Sequence, residues 1–173
     1  MTMSRADQRI SRRFLAFFLT TFMALWVGGS ILTDLVLIPT AFRMLPREHA
    51  VTLGAEAYRQ LNILECLLGA ASVLIAFAFG RLGWGTMRRH RIATSLTLGM
   101  TVIALVFLLY LTPYITGKAE GLLAAGVDLS DPTLMPPDRE DLHTAHLIYA
   151  LLDGLKISAG IAIFWLLSTR KRT

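Results

Sequence analysis

Four long apolar runs divide the chain, at about residues 14–38, 61–80, 92–112 and 143–168. A hydrocarbon core about 30 Å thick takes roughly 20 helical residues at about 1.5 Å each, so each run reads as a membrane span. Pro39 is expected to stop the first helix and Pro113 to mark the outer end of the third, because proline lacks the donor a helix interior needs. Between the first two runs, Pro46-Arg47-Glu48 can open a short helix that Gly54 closes. The second helix is then expected from about Ala55, with its apolar part starting near Leu61. Residues 116–141 read as the longest loop, and Asp138 followed by Asp141 is an N-cap signature for a fourth helix that starts ahead of its apolar part. The fold expected is all-α: one integral membrane four-helix bundle spanning residues 1–173.

Polar residues recur inside these runs at helical spacing. In the fourth, Leu142–Lys156 reads LHTAHLIYALLDGLK. At 100° per residue His146 and Asp153 differ by about 20°, with Tyr149, Lys156 and Gly160 on the same side and His143 at its edge. Asp153 lies roughly 15 Å along the helix from His143, deep in the hydrocarbon, where an unpaired charge costs at least about 2.5–3.5 kcal/mol. That face must therefore point into protein. Asn62, Glu65, Gly69 and Ser72 form a matching stripe on the second helix, and Ser30 and Asp34 share a face of the first. Thr94, Thr97, Thr101 and Thr112 line one side of the third, where hydroxyls bonding back to carbonyls one turn earlier make a packing stripe. Gly28 and Gly29 would let a neighbouring helix approach closely.

Composition agrees with the runs. Of 173 residues 54% are hydrophobic and 17% charged, too apolar for an ordinary soluble domain. The net charge of +5 sits at segment ends. Arg5, Arg9, Arg12 and Arg13 precede the first run, Arg81, Arg88, Arg89 and Arg91 sit between the second and third beside Trp84, and Arg170, Lys171 and Arg172 close the chain. The third connection instead sets Lys118 and Arg139 against Glu120, Asp128, Asp131, Asp138, Glu140 and Asp141. Positive residues stay cytoplasmic, so both termini are expected inside and the acidic loop outside. This distribution gives no folded basic face for nucleic acid. The charged start also resembles a signal peptide, with Ser11-Arg12-Arg13 similar to part of a twin-arginine signal. The first run is longer than a signal core, so it is read as the retained first span. The single cysteine, Cys66, permits no internal disulfide and reads as a packed thiol.

Three chemistries fit the polar groups. Asp34, Glu65, His143 and His146 are all expected in the outer third of the bundle. Carboxylate and imidazole can ligate a divalent metal, and His143 with His146 have a ligand-like spacing. The same groups can pass protons. Without either role, Asp34 is a carboxylate at the wet interface, capping or pairing with an arginine, His143 sits at the boundary, and His146 donates to a neighbouring carbonyl. Asp153 and Lys156, three apart, are either a local ion pair that pins packing or part of a wetted substrate path. Haem fits poorly, because His143 and His146 share one helix, His90 is expected on the opposite side, and His49 lies outside.

Gly28-Gly29, then Pro39-Thr40-Ala41-Phe42, then Tyr58, Asn62 and Glu65, and finally Leu142-His143 resemble the transmembrane protein 205-like family, also catalogued as domain of unknown function 4149. The resemblance runs from about Ala24 to Leu167. It implies a four-span membrane protein, placed for bacterial members in the inner membrane, without an enzyme activity. Eukaryotic relatives are linked to metal-drug resistance. The resemblance matches no family motif to His146 or Lys156. Together these readings lead to a non-enzymatic, multi-pass membrane protein that binds or helps move a small cation or solute through Asp34, Glu65, Asp153 and Lys156. A thin wall of four helices implies a homo-oligomer or a membrane-protein partner in the bilayer. The alternative is a structural or accessory subunit of a membrane complex.

Overall fold

The polar stripes sit on helices longer than the apolar runs suggest. The computed structural model describes the backbone of residues 5–81, 87–127 and 137–168, and side chains within 14–78, 91–127 and 140–167. Among these, α1 spans Arg5–Leu32, α2 Ile38–Met44, α3 Arg47–Arg81, α4 Met87–Val106, α5 Thr112–Ala124 and α6 Pro137–Ser168. Two π-helical turns, Thr33–Leu37 and Phe107–Leu111, join α1 to α2 and α4 to α5. The chain is thus all-α, with four helices long and apolar enough to cross a membrane: Phe14–Met44, Arg47–Ala78, Arg91–Ala124 and Glu140–Leu167.

The prolines do not stop the helices. In each π turn the residue just before the proline bonds five residues back: Ile38 N–H donates to the Thr33 carbonyl and Thr112 N–H to that of Phe107. The wider turn absorbs the missing proline donor and the ring's clash with the preceding turn, so Pro39 and Pro113 sit inside continuous spans. Only Leu45 and Pro46 interrupt the chain before α3, which runs straight through Gly54. The expected connection over 39–59 is therefore helical almost throughout, and the long loop begins only after Ala124. There Gly126, at a φ of 72°, ends α5. Gly126 N–H donates to the Leu123 carbonyl and Val127 N–H to that of Leu122, which satisfies the last carbonyls. The backbone of Asp138 lies in the first turn of α6. Its expected side-chain cap lies outside the described residues, as do Trp84, Asp128, Asp131 and the side chains of the terminal arginines.

The four spans pack as neighbours in chain order, with the first closing against the fourth. Opposite spans face each other across the centre. Near the chain termini Leu19, Met23, Trp26, Leu68, Met100, Ala104 and Ile163 form an apolar plug. Toward the other end Phe107, Leu111, Ala145 and Tyr149 form a second apolar cluster. Large side chains such as Phe17, Leu35, Leu74, Leu109, Leu151 and Trp165 point outward. Apolar exposure of that extent would be unstable in water and suits lipid contact.

Close helix approach comes from glycines other than the expected pair. A methyl group added at Gly69 would sit 2.5 Å from Thr101 Oγ1 and 2.9 Å from the Trp26 ring, and one at Gly160 would collide with the Val27 side chain. Gly28 has nothing within 4 Å, and Gly29 only the tip of Leu61 at 3.4 Å. The threonine stripe divides. Thr97 and Thr101 bond back to the Ala93 and Thr97 carbonyls, as expected, but Thr112 serves the interior.

Candidate functional site

Each span turns a polar side chain inward near its middle. α1 contributes Ser30, and the π turn after it contributes Asp34. α3 supplies Tyr58, Asn62 and Glu65, which fall on one face at spacings of four and three. α6 supplies Tyr149, Asp153 and Lys156. The third span brings Phe107 and Thr112, again on either side of a π turn.

Lys156 is the hub. Its ammonium is fully buried and lies 2.7 Å from both Glu65 oxygens and 2.7 Å from Asp153 Oδ1. The Glu65 contact crosses the bundle between the second and fourth spans, while the Asp153 contact stays on α6. Ser30 Oγ donates to Glu65 Oε1 at 2.7 Å, so a third span holds the same carboxylate. The ammonium also stands 5.0 Å from the centre of the Phe107 ring, within cation–π range. Phe107 is held in turn by stacking on Tyr149, with ring centres 4.0 Å apart.

Asp34 extends this layer. It is half-buried, accepts a hydrogen bond from Tyr58 Oη at 2.9 Å, and its carboxyl lies within hydrogen-bonding reach of Asp153. Asn62 Nδ2 donates to Thr112 Oγ1 at 2.8 Å and links the second and third spans. Thr112→Val would leave that buried amide without its acceptor at almost unchanged volume. We expect a loss of about 1–3 kcal/mol, read as a lower unfolding midpoint in detergent.

A cavity of about 380 Å³ reaches this layer from the side away from the termini. Tyr58, Tyr149 and Thr112 line its inner part, His143, His146 and Arg47 provide further polar lining, and Ile38, Phe42, Val51 and Leu142 give apolar walls. The Tyr149 hydroxyl is buried and meets no hydrogen-bond partner among the described residues. On the other side the layer is backed by the Trp26 plug.

The structure thus gathers Asp34, Glu65, Asp153 and Lys156 into one network and leaves His143 and His146 exposed along the cavity. The expected outer-third cluster of Asp34, Glu65, His143 and His146 does not form. Glu65 sits near the middle of the Arg47–Ala78 span, because that helix begins well before Leu61. Among the described residues no three His, Cys, Asp or Glu side chains are placed to hold a metal ion. Asp34 is not a carboxylate paired with an interfacial arginine; its partners are Tyr58 and Asp153. The local Asp153–Lys156 pair is present as spacing suggests, but Lys156 gives two further contacts to Glu65. The Phe107 ring was not legible as a site residue, since an aromatic in an apolar run carries no signal of its own.

One family model matches the chain, that of Domain of unknown function (DUF4149), over residues 21–120. The match covers Ser30, Asp34, Tyr58, Asn62, Glu65, Phe107 and Thr112, and ends before α6 with Asp153 and Lys156. Neither a curated protein nor a solved structure matches the chain.

Proposed function

The chain belongs to the family described as Domain of unknown function (DUF4149), and from that premise we propose that it is a non-enzymatic membrane protein that binds, or helps to move, a small cation or solute through its polar layer. The observation that carries this reading is the imbalance of that layer. Among the described residues three carboxyl groups, Asp34, Glu65 and Asp153, gather around one ammonium, that of Lys156. An unbalanced charge at mid-span is costly, and such groups in membrane bundles serve ion and proton pathways more readily than packing. The one-sided cavity adds support: an aqueous approach on one side and an apolar plug on the other is the arrangement of a closed, one-side-accessible site.

The basic residues at both termini favour a cytoplasmic position for them, which would make the cavity face outward, in a bacterial member across the inner membrane. The finer kinship with transmembrane protein 205-like proteins, carried by Gly28-Gly29, Pro39-Thr40-Ala41-Phe42 and Leu142-His143, belongs to this reading. So does a homo-oligomeric or larger membrane assembly, since four helices enclose little space.

The test is ion flux in proteoliposomes, followed with dyes for protons, sodium, potassium and zinc. Glu65→Gln removes the negative partner of Lys156 and leaves one accepting oxygen where there were two, so flux of the carried ion should change by about tenfold or more. Identical traces for wild type, Glu65→Gln and empty vesicles with every ion would end the proposal. A structural or accessory role is the second reading. It is favoured by the saturation of Lys156, which meets carboxylates on two sides and an aromatic ring. Co-purification of a larger partner in fixed ratio, with no flux, would support that reading.

A further inference from the structure

The polar layer can be counted proton by proton. Glu65 accepts from Lys156 through both oxygens and from Ser30 through one, so both of its oxygens already have donors. Asp153 accepts from Lys156 through Oδ1. Asp34 accepts from Tyr58. The Asp34 and Asp153 carboxyls also lie within hydrogen-bonding reach of each other. Two carboxylates have only acceptors to offer one another, so this contact is favourable only when one of them carries a proton.

Among the described residues, Lys156 is the cation that acts on the pair. From α1 the neighbour is Ser30, and from α3 they are Tyr58 and Glu65. From α6 they are Tyr149 and Lys156, the latter already shared with Glu65. The third span brings Phe107 and Thr112, which do not ionise. Cys66, beside Glu65 in sequence, packs against the apolar plug. Tyr58 donates to Asp34 and also lines the cavity, so its hydroxyl stands between the pair and the histidine-lined space. His146 and His143 line the same cavity and are exposed.

We propose that the Asp34–Asp153 pair holds one proton, exchanged through Tyr58 and the cavity lined by His143 and His146, and that this proton is the cation bound in the polar layer. The inference names the ion within the reading above, and rests on that reading only for the claim that the ion is carried. A proton transferred from an imidazolium at the cavity to Asp34 leaves neutral histidine and a carboxylic acid, and its return reverses both changes, so charge and atoms balance without another reactant. Through Asp153 the pair is linked directly to Lys156. Loss of the pair's proton adds a negative charge beside Lys156, which then competes with Glu65 for the ammonium.

The experiment is infrared spectroscopy of the full chain in lipid nanodiscs near neutral pH, in light and heavy water. A carbonyl stretch of a protonated carboxyl, distinct from ionised carboxylate, is expected in the wild type and should shift in heavy water. It should disappear in Asp34→Asn and in Asp153→Asn, because an amide donor replaces the shared proton, and persist in Glu65→Gln. Should either asparagine variant fail to elute as one species, Asp34→Glu must move the band instead. A wild type without the band, or a band that all the aspartate variants leave unchanged, overturns the proposal. If the band behaves as expected but no ion flux is found, the proton site stands and the transport reading falls. Glu65-dependent flux without the band has the opposite meaning.

Discussion

Lys156→Met should lower the stability of the bundle by about 3–5 kcal/mol, because it leaves buried carboxylates without their cation. Lys156 and Glu65 are both fully buried, and Asp153 is 5% exposed, so water cannot take the ammonium's place without opening the packing. Methionine fills a similar volume, so the loss would report charge and hydrogen bonding more than a cavity. The partner variant makes the argument sharper. Glu65→Gln removes one carboxylate but keeps an oxygen that can accept from Ser30. Combined with Lys156→Met it should be less damaging than Lys156→Met alone, since much of the penalty belongs to the stranded charge and not to a lost bond. Unfolding midpoints in a mild detergent titrated with a denaturing one would measure all four corners of this cycle. If Lys156→Met unfolds at the wild-type midpoint, the lysine is not what neutralises the layer.

That lysine shows how far the sequence could be read. Its depth and its spacing from Asp153 are visible in the chain, because three residues along a helix bring two side chains together wherever the helix lies. Its contact with Glu65 depends on two facts that spacing does not carry: that the second and fourth spans face each other across the bundle, and that the two residues stand at the same height. Height is hidden in the sequence for a physical reason. By composition Pro39, Gly54 and Pro113 mark helix ends, which shortens the outer parts of the spans and pushes Glu65 toward the surface. The prolines are accommodated by π turns, whose wider loop leaves no compositional mark. The four apolar runs, by contrast, were legible, since the need to satisfy every backbone group in lipid makes a long apolar run a helix almost regardless of detail. The inward faces of α3 and α6 were also legible, because polar residues there recur at helical period. Which glycines permit close packing was not: Gly28-Gly29 is the more conspicuous pair, yet Gly69 and Gly160 meet neighbouring side chains.

The Gly160 contact leads to the second large effect. Gly160→Ala should destabilise the bundle by about 1–3 kcal/mol, the usual range for forcing an extra group into a packed site. The added methyl meets Val27 of α1, which is 8% exposed and β-branched, so its rotamer cannot easily swing away on a helix. Association of helices in lipid relies on such close approach of small residues, with no hydrophobic drive to replace it. Val27→Ala should restore much of the loss when combined with Gly160→Ala, although alone it removes buried volume; the two changes should therefore couple with opposite sign to simple addition. Gly28→Ala is the control. With nothing within 4 Å it should be neutral or stabilise by about 0.5–1 kcal/mol through helix propensity. Equal midpoints for Gly160→Ala and Gly28→Ala would refute the packing argument. The contact also bears on the chemistry. Val27 lies one turn before Ser30 on α1, and Gly160 one turn after Lys156 on α6, so the closeness of these two helices helps hold the Asp34 end of the first span within reach of Asp153. A methyl group that wedges them apart should weaken the shared-proton band as well as the fold, whereas Gly69→Ala, which separates α3 from α4 and Trp26, should lower stability with less effect on that band.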